Sequence, residues 1–339
     1  MAKCRVLIVL WTTGRCNLKC RYCYASESNE KYDMDFETAT KVLDYFGNQP
    51  MKIQFAGGEP LLNYDLICKV YEYVNKRGYD AVFQMQTNAT LIDEQKAIQI
   101  KKMKIAVGVS LDGPPDINEW LRGKTKEAVY GIQCLAKAGV KTNINSVVTE
   151  QNVTRLTELV DFALYLGNIR GIGLDLLREA GRAKNSDNLI KKANDEQLKS
   201  ALNLLHERCE LLHKQTGKKI VIREIEEAKK RLSSSACNKN YCYASCGSSY
   251  VILPNGDVYP CGSLINKSEY YMGNINNTPL KYIELAKQTP GECSECDYFS
   301  ICPGGCPSRM IVNGVEQEEK NLDCILKKSA FDIAFKLRE

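Results

Sequence analysis

From residue 5 to about 176, short apolar runs alternate with longer stretches whose apolar residues recur every three to four positions. The runs predict strands at Arg5–Trp11, Met51–Phe55, Asp80–Gln86, Ile105–Ser110, Lys141–Val148 and Ile169–Leu176. The periodic stretches predict helices near 36–47, 64–77, 93–103, 125–138 and 152–166, with Asp35 and Thr125 at N-cap positions and Gly78 and Gly139 at C-cap positions. Six strand–helix units imply an α/β fold: a parallel, partial (β/α)6 TIM-like barrel whose site lies at the C-terminal strand ends. A charged stretch at 190–231 reads as a solvated helical pair joining this barrel to the C-terminal segment. After Ser233 the texture turns to cysteine, glycine and turn residues, with a β-hairpin around Pro254-Asn255-Gly256 and weak periodicity. The expected segments are therefore a barrel over 1–185, a helical connector over 186–232 and a small Cys-rich domain with a hairpin and helices over 233–339. No tandem repeat or low-complexity tract is visible.

Composition narrows the chemistry. There are 46 basic and 41 acidic residues in 339, and no block of like charge long enough to make nucleic acid the default partner. The apolar start, Val6 to Trp11, is too short to span a bilayer and lacks a cleavage-site flank, so a cytoplasmic protein without a membrane partner is expected. Sixteen cysteines stand against two histidines. Without an export signal, clustered cysteines bind metal more often than they form disulfides. His206 and His213, on one predicted helix, read as plain surface residues, which leaves the chemistry to soft thiolates.

Directly after the first strand, Cys16, Cys20 and Cys23 have the spacing C-x3-C-x2-C. With cysteine at about one position in twenty, two such further matches arise by chance about once in 400 trials. Three thiolates on one loop can hold three irons of a 4Fe–4S cube, whose usual complement is four cysteines. The fourth iron then keeps a position open for a small chelating molecule.

This spacing resembles the signature of the radical S-adenosylmethionine (AdoMet) superfamily, and other segments are similar too. Tyr22 matches the aromatic position near the adenine. Ala56-Gly57-Gly58-Glu59-Pro60 matches the second family motif, in which glycines let backbone carbonyls approach the methionyl amine. Thr87-Asn88 and Ser110-Leu111-Asp112-Gly113 resemble segments that contact ribose and carboxylate, and Arg122 is suited to the methionine carboxylate. The resemblance thus implies an AdoMet site built from Tyr22, Gly57, Gly58, Glu59, Asn88, Ser110, Asp112 and Arg122. The segment Leu177–Ala183, ending Gly-Arg-Ala, also looks like this family but has no role derivable from sequence. The implied chemistry is reductive cleavage of AdoMet to a 5′-deoxyadenosyl radical that takes a hydrogen atom from a substrate carbon. The protein's part is to orient that carbon and to exclude water and oxygen.

A second constellation lies near the C-terminus: Cys246, then Cys261, then Cys293-x2-Cys296-x5-Cys302-x3-Cys306, and later Cys324. Three cysteines at fixed offsets from a first arise by chance about once in ten thousand. Structural zinc is the rival reading, since paired C-x2-C motifs bind it, but zinc would use four of the seven. The pattern resembles the SPASM extension, which carries two auxiliary 4Fe–4S clusters. That resemblance assigns Cys246, Cys261 and Cys306 to the first, with Cys242 or Cys237 completing it and Cys242 preferred for proximity. It assigns Cys293, Cys296, Cys302 and Cys324 to the second, giving three clusters in all. A first auxiliary cluster with an open iron is the other possibility. Cys4, Cys68, Cys134 and Cys209 remain as buried small hydrophobes.

Resemblance to SPASM enzymes implies a peptide or protein substrate, oxidative modification such as a thioether or carbon–carbon crosslink, and an electron donor such as ferredoxin or flavodoxin. One departure narrows this. In the sulfatase-maturating branch an aspartate base follows the cysteine equivalent to Cys261, and here that position is Gly262. The chain also begins almost at the barrel, so a leader peptide would need a separate recognition protein or direct capture by the barrel. The alternatives are a radical enzyme acting on a small molecule such as a tetrapyrrole side chain, and a non-catalytic iron–sulfur electron carrier or scaffold. A mere carrier has no need of the Gly57-Gly58-Glu59-Pro60 motif.

Overall fold

The computed structural model describes residues 5–27, 32–184, 190–233, 240–277, 279–285, 287, 291–314 and 322–337. Cys4 and Cys237 lie outside the described residues. The strands are β1 (Val6–Thr13), β2 (Met51–Gly57), β3 (Ala81–Thr87), β4 (Ala106–Ser110), β5 (Thr142–Val148), β6 (Ile169–Leu176), β7 (Val221–Ile222), β8 (Ser249–Ile252), β9 (Asp257–Tyr259) and β10 (Gly273–Asn274). The helices are α1 (Phe36–Phe46), α2 (Tyr64–Arg77), α3 (Glu94–Lys102), α4 (Pro115–Leu121), α5 (Thr125–Lys137), α6 (Leu156–Leu166), α7 (Asp195–Thr216), α8 (Arg223–Ser233), α9 (Pro307–Asn313) and α10 (Leu322–Lys336).

Strands β1 to β6 are neighbours in sequence order and all parallel, as a chain of βαβ crossovers requires. The full sheet runs β10-β9-β8-β1-β2-β3-β4-β5-β6-β7, with distinct strands at its two ends, so the barrel is open. Alternation sets its two faces. Met51, Ile53 and Phe55 of β2 and Ile144 and Val148 of β5 are buried in the large core beneath the helices, while Lys52, Gln54 and Asn145 between them are only partly covered.

The helix ends follow from local chemistry. Asp35 accepts from Thr38 N to cap α1, and Gly78 ends α2 in a left-handed conformation at φ +68°. Thr125 is not the N-cap that its sequence position suggests. Lys124 takes that place with φ +52°, and the Thr125 N–H donates to a Glu119 carboxylate oxygen at 2.8 Å.

Two features depart from the sequence reading. The hairpin β8–β9 forms at 254–256 as expected, but β8 also pairs in parallel with β1, covering the edge that the first strand would leave open. The 190–231 stretch is not a solvated pair. Helix α7 buries Leu198, Leu202, Leu205 and Leu212 in the main core, β7 extends the sheet beside β6, and α8 buries Ile225 and Ala228. His206 and His213 are accordingly half-buried rather than on the open surface, and burial pulls the His206 pKa down.

Candidate active site

The first cysteine loop leaves the end of β1 through an irregularity in its pairing with β2, between Trp11 and Thr13, that turns the chain toward the strand ends. Asp33 holds its base: Thr13 Oγ1 donates to Asp33 Oδ1 at 2.6 Å and Arg15 Nε donates to the same oxygen at 3.0 Å. The Gly57-Gly58-Glu59 segment binds the loop through its backbone, Gly58 N donating to Thr13 O at 2.8 Å and Glu59 N to Arg15 O at 2.9 Å. A β-carbon at Gly57 would strike the Thr13 carbonyl oxygen, and one at Gly58 the Arg15 carbonyl oxygen. The glycine pair is therefore required by the approach of the cysteine loop itself, before any ligand is considered. Gly58→Ala is expected to unseat this loop. The variant should lose most of the iron held by Cys16, Cys20 and Cys23 and with it AdoMet affinity, as iron analysis and equilibrium dialysis would show.

Other residues expected at the AdoMet site act as braces. Glu59 is fully buried and accepts from Leu61 N, Thr87 Oγ1 and Asn88 N, so its carboxylate ties the end of β2 to the end of β3. Burial raises its pKa despite those donors. Asn88 donates to Asn17 Oδ1 at 3.0 Å, which links the end of β3 to the cysteine loop. Asp112 has no exposed surface and accepts from Val147 N at 2.8 Å and from the Tyr22 hydroxyl. Arg122 contacts the same hydroxyl and lies 3.4 Å from Asp112. Burial opposes its charge, but Cys20, Tyr22 and Asp112 outweigh it and keep Arg122 a cation.

The Gly-Arg-Ala segment has a structural job that sequence reasoning missed. Gly181 has φ +58°, and a β-carbon there would run into the Cys23 carbonyl oxygen. Arg182 N donates to Cys23 O at 3.1 Å and Arg182 Nε to Cys20 O at 2.7 Å, so one residue fixes the backbone of two cysteines.

These elements surround a cavity of about 650 Å³ at the strand ends. Cys16, Cys20 and Cys23 line it together with Tyr22, Gly57, Gly58, Glu59, Asn88, Ser110 and Arg122, while Asp112 sits behind Tyr22. Ser110 accepts from Gln86 Nε2 at 2.9 Å. Burial pushes the Cys16 thiol up to about 11 and raises Cys20 as well, so metal binding must offset the release of these protons.

Cys242 and Cys306 line the same cavity from the C-terminal domain. Cys261 Sγ and Cys306 Sγ both contact Ser308 Oγ, at 3.3 and 3.4 Å, and burial raises the pKa of the Cys242 thiol, with Cys306 and Cys261 adding to the rise. Cys246 Sγ faces Ser248 Oγ at 3.0 Å and the Tyr243 carbonyl at 3.3 Å. In the 293–306 stretch Cys296 N donates to Cys293 O and Gly304 N to Cys302 Sγ, and Cys324 stands on α10. Among the described residues no three Cys, His, Asp or Glu side chains converge on a single-ion position.

A buried ionic chain joins the cysteine-rich domain to the barrel. Arg309 donates to Asp323 at 2.9 and 2.6 Å, to Leu176 O at 3.0 Å and to Asp175 at the end of β6. Arg178 donates to Asp175 at 2.6 Å, approaches Cys306 Sγ at 3.9 Å and lies over the Tyr24 ring at 5.5 Å. Burial alone would raise the Asp175 pKa, but Arg178 and Arg309 hold it well below the usual carboxylate range.

Family comparisons agree with this geometry. The model for the radical SAM superfamily matches residues 12–163, and the model for SPASM, an iron–sulfur cluster-binding domain, matches residues 242–306. The chain belongs to the radical SAM superfamily and is an enzyme of that family with iron–sulfur and AdoMet sites. It is 37% identical to an uncharacterized protein of Methanocaldococcus jannaschii over 80% of this chain and 88% of that one. It is also 28% identical to a cysteine-type anaerobic sulfatase-maturating enzyme of Clostridium perfringens (97% and 96% covered) and 28% identical to an AdoMet-dependent heme synthase of Nitratidesulfovibrio vulgaris (89% and 87%). In fold it is similar to native anSMEcpe with bound AdoMet, at TM-score 0.81 and 24% identity over 98% of this chain and 97% of that one. It is likewise similar to Streptococcus suis SuiB bound to precursor peptide SuiA, at TM-score 0.67 and 21% identity over 94% and 74%. Among the described residues no helix is long and apolar enough to cross a membrane.

Proposed function

We propose that this enzyme oxidatively modifies a peptide or protein, taking a hydrogen atom from a side chain or α-carbon and closing a thioether or carbon–carbon bond. The observation that carries the reading is one cavity with cysteines on facing elements: Cys16, Cys20 and Cys23 from the barrel, Cys242 and Cys306 from the C-terminal domain. When bound, AdoMet and the clusters supply hydrogen-atom abstraction and one-electron transfer. The chain's own residues hold and enclose: Tyr22, Gly57, Gly58, Asn88, Ser110 and Arg122 shape the AdoMet side, and the cationic Arg122 meets its carboxylate. On the far side Cys242, Cys246, Cys261 and Cys306 would hold one auxiliary cluster, and Cys293, Cys296, Cys302 and Cys324 would hold the other. A substrate radical formed between the two sides then has an electron acceptor at hand, which suits a net oxidation. Ferredoxin or flavodoxin supplies the initial electron.

Formylglycine formation by an aspartate base does not suit this site. The position after Cys261 is Gly262, where a β-carbon would lie 3.0 Å from Trp11 Cζ3 and 3.5 Å from the Tyr24 hydroxyl, so any side chain there would press on the indole. Relatives named as heme synthases and as an Fe-coproporphyrin III synthase keep tetrapyrrole chemistry as the second reading. The test is to incubate enzyme, reductant and AdoMet with a short peptide encoded beside the gene. A loss of about two mass units per 5′-deoxyadenosine supports crosslinking by one abstraction and one further oxidation. Unchanged peptide beside turnover of a tetrapyrrole would overturn it.

A further inference from the structure

Deeper in the barrel, away from the strand ends, the concave face of the sheet opens into a second cavity of about 640 Å³. Closed (β/α)8 barrels fill this space with inward-pointing Val, Ile and Leu. Here the lining side chains are Lys52 and Gln54 of β2, Gln84 of β3 and Asn143 of β5, with glycines Gly108 and Gly171 on β4 and β6. They alternate with Ile53, Met85, Val107, Ile144 and Ile172, which are buried under the helices. The interior therefore carries polar side chains beside apolar strand surface, in a volume typical for ligands. It shares Gln54, Gln86, Asn145, Arg223 and Glu227 with the cysteine-lined cavity, and at that boundary Asn145 donates to Gln86 Oε1 at 2.5 Å and accepts from Arg223 Nη1 at 3.1 Å.

Charge decides what the lumen suits. The two carboxylates on its α8 wall already have partners, Glu226 with Lys229 at 3.0 Å and Glu227 with Lys327 at 3.2 Å, and Arg223 and Lys230 line the same wall. Lys52 has no carboxylate partner among the described residues, and its Nζ lies 5.7 Å over the Tyr243 ring. Burial lowers its pKa, the mark of an ammonium short of both water and a counter-charge. Of the carboxamides around it, Gln84 donates through Nε2 to Gln54 Oε1, which leaves each of the two further donor and acceptor capacity, and Asn143 adds a third.

We infer that this lower lumen binds a carboxylate-bearing peptide segment, with Lys52 pairing the carboxylate and Gln54, Gln84 and Asn143 meeting backbone amides. The inference rests on the reading of the substrate as a peptide and names the part of it that enters the barrel. Lys52 lies five residues before Gly57 on β2, about 16 Å at the usual strand rise. An extended peptide crosses that span in about five residues, which sets the distance from carboxylate to reacting residue. The carboxylate is a chain terminus or an acidic side chain, two sources with the same chemistry.

The test uses anaerobically reconstituted holoenzyme and four probes: N-acetyl-pentaglycine with a free C-terminus, N-acetyl-Gly-Gly-Asp-Gly-Gly-amide, the neutral N-acetyl-pentaglycine amide and coproporphyrin. Lysine acetylation by a dilute reagent is followed residue by residue by mass spectrometry, with the exposed Lys69 as internal reference. A carboxylate probe at about four times its Kd should slow Lys52 acetylation about fivefold, whereas the neutral amide should not. Which of the two carboxylate probes protects identifies the source. Lys52→Met should remove saturable probe binding in ligand-observed NMR while AdoMet binding is retained. Failure of both carboxylate probes to protect Lys52 overturns the site, even where the enzyme is shown to turn over a peptide. Protection by coproporphyrin but by neither peptide overturns both the ligand class and the peptide reading.

Discussion

Replacing Cys16, Cys20 and Cys23 together by alanine is expected to abolish AdoMet cleavage while leaving about eight of about twelve irons bound. The expectation follows from two cysteine sets carried on separate elements. The first stands on the loop after β1, held by Asp33, Gly58 and Arg182, and the second is distributed over the C-terminal domain. Removing the first set leaves the ligands of the second untouched, so their clusters should still assemble. Iron and sulfide analysis of the purified variant, with 5′-deoxyadenosine measured by chromatography, gives both numbers from one preparation. A wild type that saturates at about four irons, or that binds zinc instead, would contradict the auxiliary clusters.

Arg309→Met should cost on the order of 3 to 5 kcal/mol of stability, the usual range for breaking a buried ion pair from one side. Arg309 is 3% exposed and is the common partner of Asp323, which precedes Cys324, and of Asp175 at the end of β6. Without it Asp323 is left buried and charged, and Cys306 N, which donates to Asp323 at 3.2 Å, loses a fixed acceptor. The loss should appear as a lower denaturation midpoint and as iron lost first from the C-terminal domain. Lys69→Met is the comparison, since its pair with Asp65 is exposed and worth about 0 to 1 kcal/mol. Equal stability of the two variants would show that the Arg309 chain does not hold the domains together.

Much of the barrel was legible because each of its strands buries one face. Met51, Ile53 and Phe55 announce β2 by alternation, and the helix over Tyr64–Arg77 ends at Gly78 as its sequence implies. The cysteine loop was legible because three thiols at fixed spacing are rare. What escaped was set by contacts distant in sequence. Nothing in residues 249–252 says that they will pair with β1, and nothing near Gly181 says that it packs on Cys23. The polar residues on the concave strand face carried a signal, since Gln54, Gln84, Gln86, Asn143 and Asn145 alternate with core residues. Read alone, that alternation looks like an ordinary solvated sheet face. The carboxylates of Glu59 and Asp112 also bind the protein's own donors, contacts that only coordinates reveal. Cys237, the alternative to Cys242, lies outside the described residues.

The central claim, hydrogen-atom abstraction from a peptide carbon, is tested most directly by isotope transfer. The enzyme would be supplied with reductant, AdoMet and the neighbouring gene's peptide made with perdeuterated amino acids, and the 5′-deoxyadenosine weighed by mass spectrometry. The account predicts 5′-deoxyadenosine about one mass unit heavier, with the label rising in step with modified peptide. Unlabelled 5′-deoxyadenosine from the deuterated peptide, with label acquired only from a deuterated tetrapyrrole, would contradict it.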